Sequence, residues 1–181
     1  MRVAKKEIHD QTVIAELLAK SSVGRLGTIG QDGYPMIKPL NFVHHRAKIY
    51  FHSAPEGEKI DAIRRDNRVC FEVDLPIAYV KSAGAPCRAD YLYRSVIIRG
   101  RAHAVADREE RVSALKALMQ KYQPEGGYEG FSEETLARTA VVRIDIVEMT
   151  GKQDLGKETE RDTVMRILRD RALPAVFLER S

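Results

Sequence analysis

Four side chains in the first third of the chain could together bind a phosphate group. Lys38 lies in an extended run, His52 and Ser53 end the next one, and Lys59 follows a short loop. Ammonium, imidazole and hydroxyl groups are donors that proteins use for phosphate oxygens. A strand that leads into a helix also presents backbone N–H groups to an anion. The sequence therefore predicts a phosphate site where strands and a helix meet.

Each of these residues also has an ordinary structural explanation. Lys38 and Lys59 could be solvent-facing lysines, and His52 could be a strand-end histidine bonded to backbone or water. Ser53 and Glu56 match a capping box, which predicts that Ser53 caps the next helix. No Walker loop and no G-x-G-x-x-G loop occurs in the chain. The phosphate interpretation rests on the combination of the four residues.

Two prolines make the strand around Lys38 irregular. Pro35 and Pro39 lack the N–H that a central strand must donate, which favours an edge strand. The backbone groups of Leu40 and Asn41 are then left without regular ladder partners. We expect these groups to be available for the edge of a heterocycle.

Other reactive side chains give weaker signals. Cys70 lies in an apolar strand pattern and is predicted to be buried, whereas Cys87 follows a proline in a loop. The two cysteines form no Cys-x-x-Cys pair, so we predict neither a disulfide framework nor a metal site. No Gly-x-Ser-x-Gly or His-Glu-x-x-His motif occurs. Arg94, before a β pattern, could be a surface charge or could approach an anion.

Composition restricts the class of protein. The 181 residues are 44% hydrophobic and 31% charged, with a formal net charge of +4. The densest basic cluster, at residues 64–68, is interrupted by an acid, which argues against nucleic-acid binding. No apolar run approaches the ~20 residues that span a bilayer, and the N-terminus lacks the apolar centre of a signal peptide. We expect a cytoplasmic protein that does not bind membranes.

Hydrophobic periodicity predicts a mainly β fold. Asp32-Gly33 signals a hairpin, residues 75–90 have the composition of a loop, and the small residues Gly100 and Ala102 suit a curved barrel wall. Short strands with helices at their ends indicate a β-barrel with appended helices. The predicted strands are 24–29, 34–43, 48–52, 68–73, 91–105 and 139–149, and the predicted helices are 8–20, a segment after Glu56, a segment from Asp107, 133–137 and 158–171.

Six short motifs, in this order, resemble those of a known family. The chain is similar to the pyridoxamine-phosphate-oxidase-like flavin-binding split barrels, and within them to the nitroimidazole-resistance (Nim) branch. The resemblance covers roughly residues 10–152. The motifs are Gly24-Arg-Leu-Gly-Thr with Asp32-Gly-Tyr-Pro, Ile37-Lys-Pro-Leu-Asn-Phe, Ile49-Tyr-Phe-His-Ser-Ala with Gly57-Glu-Lys-Ile, Val69-Cys-Phe-Glu-Val-Asp, Tyr93-Arg-Ser-Val, and Val142-Arg-Ile-Asp-Ile-Val-Glu-Met-Thr-Gly-Lys.

The resemblance implies a six-stranded antiparallel split barrel that forms a homodimer and binds FMN between its subunits. It implies one domain over 1–181, with a core at about 10–152 and a C-terminal helical extension at 153–181. It places the flavin phosphate near the four residues described first and identifies His52 as the catalytic residue near flavin and substrate. The implied cofactor-binding residues are Lys38, Pro39, Leu40, Asn41, His52, Ser53, Lys59, Arg94 and Lys152, of which Lys152 would reach the cleft from the other subunit.

The implied function is that of an FMN-dependent oxidoreductase acting on nitro-aromatic or related small molecules. Without a Rossmann fingerprint, NAD(P)H would bind only transiently, over the flavin. The C-terminal substrate pattern of pyridoxamine phosphate oxidase is missing, so we do not expect that reaction. Two alternatives stay open: a non-catalytic flavin, deazaflavin or haem protein, with His52 or His103 as the axial haem ligand, and a dimer without a cofactor.

Overall fold

The computed structural model describes residues 4–82 and 84–170. Eight strands and five α-helices occur in these residues, together with short 3₁₀ turns at Ala4–Lys6 and Pro86–Arg88. The strands are β1 (Glu7–Ile8), β2 (Gly24–Ile29), β3 (Pro35–Leu40), β4 (Val43–His45), β5 (Lys48–Ser53), β6 (Arg68–Val80), β7 (Asp90–Ala104) and β8 (Ala140–Asp154), and the helices are α1 (Gln11–Lys20), α2 (Glu58–Arg65), α3 (Arg108–Tyr122), α4 (Glu133–Arg138) and α5 (Glu158–Asp170).

The strands form one antiparallel sheet in the order β3-β2-β6-β7-β8-β5-β4, and β1 pairs with β8. The edge strands β3 and β4 are nevertheless consecutive in the chain, separated only by Asn41 and Phe42. Three Cα–Cα steps reach at most about 11 Å, so the two edges of the sheet must come close together. The sheet is therefore curled into a barrel. The predicted class, a mainly β antiparallel split barrel with appended helices, is confirmed.

The barrel interior is filled by alternate residues of the long strands. Leu26, Phe71, Ile98 and Ile144 are fully buried within it, and α1 and α2 add apolar residues to the same cluster. A second cluster packs α3 and α4 against β4, β5 and β8. A third packs α5 against the far ends of β6 and β7. The helices thus cover the barrel surface. Binding sites can therefore form at the segments that connect strands and helices.

The strand count is the first difference from prediction, because β1 and β4 were not expected. The predicted strand 34–43 ends at Leu40, and Val43 belongs to the separate strand β4 together with His44 and His45. The turn falls at Arg46 and Ala47, which have φ angles of 50° and 59°. Sequence patterns missed β4 because its three residues are too few to show a period.

The predicted loop 75–90 is wrong for its first part. β6 continues to Val80 and pairs with β7 throughout, with a register shift between Pro76 and Ala78. Proline is tolerated there because Pro76 lies at a register shift in the pairing with β7, beyond Glu72, where the pairing of β6 with β2 ends. Cys70 was also predicted wrongly: it is exposed on the outer face of the sheet.

The ends of the chain differ less from prediction. Helix α1 starts at Gln11 instead of residue 8, with Asp10 as its N-cap and Ile8 in β1. Helix α5 occupies Glu158–Asp170, and the remainder of the predicted extension, 171–181, lies outside the described residues. Among the helices described, none has the length and apolar character needed to cross a membrane. The division into core and extension stays a prediction.

A substitution at Gly100 tests the curvature of the barrel wall. A Cβ at this position would lie 2.5 Å from Ile144 Cγ2 and 2.7 Å from the backbone oxygen of Asp145. We expect Gly100→Ala to lower the free energy of unfolding by about 1–3 kcal/mol, because β7 and β8 must move apart. Urea denaturation followed by circular dichroism measures this.

The matched control is Gly130→Ala, at a site with no atom within 4 Å of the added Cβ. We expect a change within about 0.5 kcal/mol there. Equal effects at the two glycines would contradict the packing argument.

Candidate cofactor site

Two strand edges without partners border the split in the barrel. β4 pairs only with Lys48–Tyr50 of β5, so Phe51–Ser53 pair with β8 on one side and, among the described residues, with no strand on the other. In the same part of the structure, β3 pairs with β2 and, within residues 4–82 and 84–170, with no other strand. Backbone groups on both edges are therefore free of ladder hydrogen bonds and can bind a polar ligand.

Lys38 projects from β3 on the barrel side of the sheet, opposite the buried Leu26. Its Nζ lies 2.5 Å from Oε2 of Glu58, in the first turn of α2. This ion pair joins the edge strand to the helix across the split. Both side chains are substantially exposed, at 41% and 64%, so the pair contributes little stability and can be broken by a ligand.

Lys59 and His52 complete a group of neighbouring basic residues with Lys38. Lys59 Nζ lies 5.2 Å from the ring centroid of Phe51, and its pKa is lowered by burial and by the charge of Lys38. The pKa of His52 is lowered by the packing around its ring and by the charge of Lys59. The two lysines repel each other and disfavour a positive charge on His52, and a bound anion would relieve the repulsion between the lysines.

The capping role predicted for Ser53 is wrong. Ser53 is the last residue of β5, paired with Ala140, and α2 begins five residues later with Gly57 as N-cap. Gly57 has a φ of 118°, which residues with a Cβ rarely adopt, and no side chain caps the helix. The first N–H groups of α2 are thus open to an anion, and Ser53 and Lys59 stand on either side of this turn.

The predicted ring-binding segment Pro39–Asn41 is held by residues that the sequence analysis missed. Phe42 N donates to Tyr122 Oη at 3.0 Å, and this hydroxyl donates to the backbone oxygen of Ser22 at 2.7 Å. Lys121 Nζ lies 3.7 Å from the centroid of the Phe42 ring and donates to Leu18 O at 3.0 Å. No local pattern marks these contacts, because about 80 residues separate α3 from Phe42.

Arg94 and Lys152 lie at the other end of the barrel. Arg94 donates from Nε to Oε1 of Gln153 at 3.1 Å, and Lys152 pairs with Ser95 and lies 5.5 Å from the ring of Tyr93. Along β8, Lys152 is eleven residues from Val141, the partner of His52, a distance of about 35 Å in an extended strand. Within one protomer these two residues do not join the site. Their assignment stays a prediction that requires a second protomer.

The remaining histidines do not form a metal centre. His103 Nε2 lies 3.8 Å from Oδ2 of Asp145, and His45 Nε2 forms a hydrogen bond with Oγ of Ser113. In residues 4–82 and 84–170, no group of three or more His, Cys, Asp or Glu is arranged to hold a metal ion.

Comparison with known proteins identifies the family. The sequence model described as pyridoxamine 5'-phosphate oxidase matches residues 10–153. The chain belongs to this family. No curated protein gave a significant match.

Solved structures agree with this family in fold. A candidate 5-nitroimidazole antibiotic resistance protein from Bacteroides thetaiotaomicron is 27% identical with a TM-score of 0.72, over 81% of this chain and 86% of its own. The flavocytochrome Anf3 from Azotobacter vinelandii is 20% identical, with a TM-score of 0.76 over 90% and 77%. An FAD- and haem-binding protein from Mycobacterium smegmatis is 17% identical, with a TM-score of 0.76 over 89% and 79%. The last two show likeness of fold alone.

The buried amine of Lys121 makes the support of Phe42 dependent on pH. Burial lowers the pKa of Lys121 to about 7, from 10.5 in the unfolded chain. Between these values the unfolded state binds more protons, so we expect stability to rise with pH from 7 towards 10. The slope contributed by one such group is at most about 1.4 kcal/mol per pH unit.

The comparison is with Lys121→Met, which keeps the stem and removes the titrating group. Urea unfolding of both proteins at several pH values should show a smaller rise in the variant. Parallel stability curves would contradict the assignment of the pH dependence to Lys121.

Proposed function

We propose that this protein is an FMN-dependent oxidoreductase that reduces nitro-aromatic or related small molecules. The observation that carries the proposal is the cluster of Lys38, Lys59 and His52 beside the uncapped start of α2. Two lysines held near each other, with one exposed acid between them, fit a phosphate dianion. The unpaired edges of β3 and β5 fit the polar rim of a planar ring.

The chain's own residues would bind and orient the reactants. Lys38 and Lys59 hold the phosphate, Ser53 and the first N–H groups of α2 donate to it, and the backbone of Leu40 and Asn41 meets the heterocycle. FMN, when bound, supplies the transfer of two electrons from a reduced nicotinamide to the substrate. With two electrons and two protons, a nitro group becomes a nitroso group and water.

His52 would act at the substrate. Its lowered pKa keeps the imidazole mostly neutral at pH 7, so one ring nitrogen can donate a hydrogen bond to a nitro oxygen while the other accepts. We assign it the role of orienting the acceptor and passing a proton to it.

The proposal includes a homodimer, because Arg94 and Lys152 can contribute to the site only from a second copy. The outer face of the sheet suits this assembly. It exposes Ile97 and Val147 next to the ion pair of Arg99 with Glu148, at 3.3 Å. A face of mixed apolar and charged residues is common in protein interfaces.

Variants of the Lys38–Glu58 pair test the phosphate assignment. We expect Lys38→Ala to weaken FMN binding at least about tenfold, since hydrogen bonds to charged groups contribute about 1.5–3 kcal/mol. We expect Glu58→Gln to strengthen it by up to about fivefold, because the competing exposed ion pair, about 0.2–1 kcal/mol, is lost. Titration of FMN fluorescence gives both affinities.

Lys116→Ala, on the exposed face of α3, is the control and should bind like the parent. If Lys38→Ala binds FMN as tightly as the parent, the phosphate lies elsewhere. A Soret band in the protein as isolated would favour the haem alternative, and a two-band flavin spectrum favours FMN.

The activity is tested by anaerobic turnover of a nitroimidazole with NAD(P)H. We expect FMN-loaded protein to consume the nitro compound, and His52→Gln to retain FMN but lose about 100-fold or more in kcat. His9→Gln, at an exposed histidine before α1, should behave like the parent. FMN binding without turnover would contradict the proposed reductase activity and favour a flavin carrier.

A further inference from the structure

A large cavity lies at the end of the barrel far from His52. Its volume is about 680 Å³, and it opens between the N-terminal 3₁₀ turn, the β6–β7 connection, the end of β8 and the start of α5. β6 and β7 end here at the pair Val80–Asp90, whereas His52 pairs with Val141 at the start of β8. This cavity is therefore separate from the candidate cofactor site of the same protomer.

The lining of the cavity is strongly basic. Six cationic side chains face three acidic ones, which leaves a net charge of +3 in a chain whose total is +4. The cationic residues are Lys5, Lys6, Lys81, Arg88, Lys157 and Arg161.

The three acids are already engaged with other groups. Asp154 pairs with Lys6 and accepts from Gly156 N at 3.1 Å. Glu160 accepts from Lys157 N at 2.7 Å, and Asp90 accepts from Tyr91 N at 2.8 Å. Within the described residues, the other five cationic side chains have no acidic partner. Their charges are available to a ligand.

The cavity also has an apolar part. Val80, Leu92 and Leu155 contribute to its lining, and Leu92 is only 3% exposed because it packs with α5. The volume lies within the range of about 300–1,000 Å³ typical of small-molecule sites. Apolar and basic lining residues together with this volume fit a small organic molecule that carries several phosphates.

We propose that this cavity binds an organic polyphosphate of nucleotide size. A single phosphate would engage one or two of five unpaired cations. A chain of two or three phosphates can reach Lys81 after β6, Arg88 in the second 3₁₀ turn and Arg161 in α5 at once. A concave site of this size selects a small polyanion over an extended one. The proposal does not depend on FMN binding.

Calorimetric titration of the full chain with ATP, ADP, AMP and adenosine, without magnesium, tests the proposal. We expect the affinity to rise with each phosphate and to fall when NaCl is raised from 50 to 300 mM. FMN-saturated protein should bind ATP equally well and keep its flavin spectrum. Adenosine binding as tightly as ATP, displacement of FMN by ATP, or no heat at millimolar ATP would each overturn the proposal.

Paired variants separate a built site from general attraction. Arg88→Gln with Arg161→Gln should weaken ATP binding at least tenfold, and so should Lys81→Gln with Lys157→Gln if the first pair does not fold. Lys116→Gln with Arg166→Gln makes the same change in net charge outside the cavity and should alter binding less than twofold. Equal losses in cavity and control variants would overturn the proposal.

Discussion

The two-residue connection between β3 and β4 is the constraint on which the rest of the structure depends. These strands are the opposite edges of the sheet, and Asn41 and Phe42 alone join them. The sheet must therefore curl, but its edges cannot pair along their full lengths, because β4 is three residues long. The barrel stays split beside Phe51–Ser53. The candidate site is a consequence of incomplete closure: backbone groups that a closed barrel would satisfy remain available.

Positive charges beside the split repel each other in the free protein and favour the binding of an anion. Lys38 lowers the pKa of Lys59, and Lys59 lowers that of His52, so the charges of the two lysines repel each other and disfavour a proton on His52. Glu58 relieves only part of this repulsion, through an exposed pair. The ring-binding segment Pro39–Asn41 is supported from its other side, where Tyr122 and Lys121 hold Phe42 against α1. A rigid backbone beside a group of repelling charges is suited to hold a phosphorylated ring.

Sequence patterns predicted the parts of this arrangement that depend on neighbouring residues. Of the five predicted strands other than 34–43, the strand 24–29 recurs with the same bounds and the other four recur with shifted ends. The predicted helices recur because buried faces follow fixed periods. The prediction that Ser53 caps a helix was wrong because pairing of this residue with Ala140 in the sheet outweighed a local capping pattern. The prediction that Cys70 is buried was wrong because apolar neighbours in a strand do not show which face of the strand meets the core.

The sequence by itself determined the fold class and the edge character of β3 with its prolines. It also indicated Lys38 in β3 and His52 near the end of β5 as candidate site residues. Only the tertiary structure decided that Glu58 pairs with Lys38 and that Lys121 supports Phe42. It also placed Arg94 and Lys152 at the opposite end of the barrel, where six cations line a cavity. The physical reason is the range of the interactions. Periodicity and turn preferences act between near neighbours, whereas ion pairs and cavities join segments that only the curl of the sheet brings together.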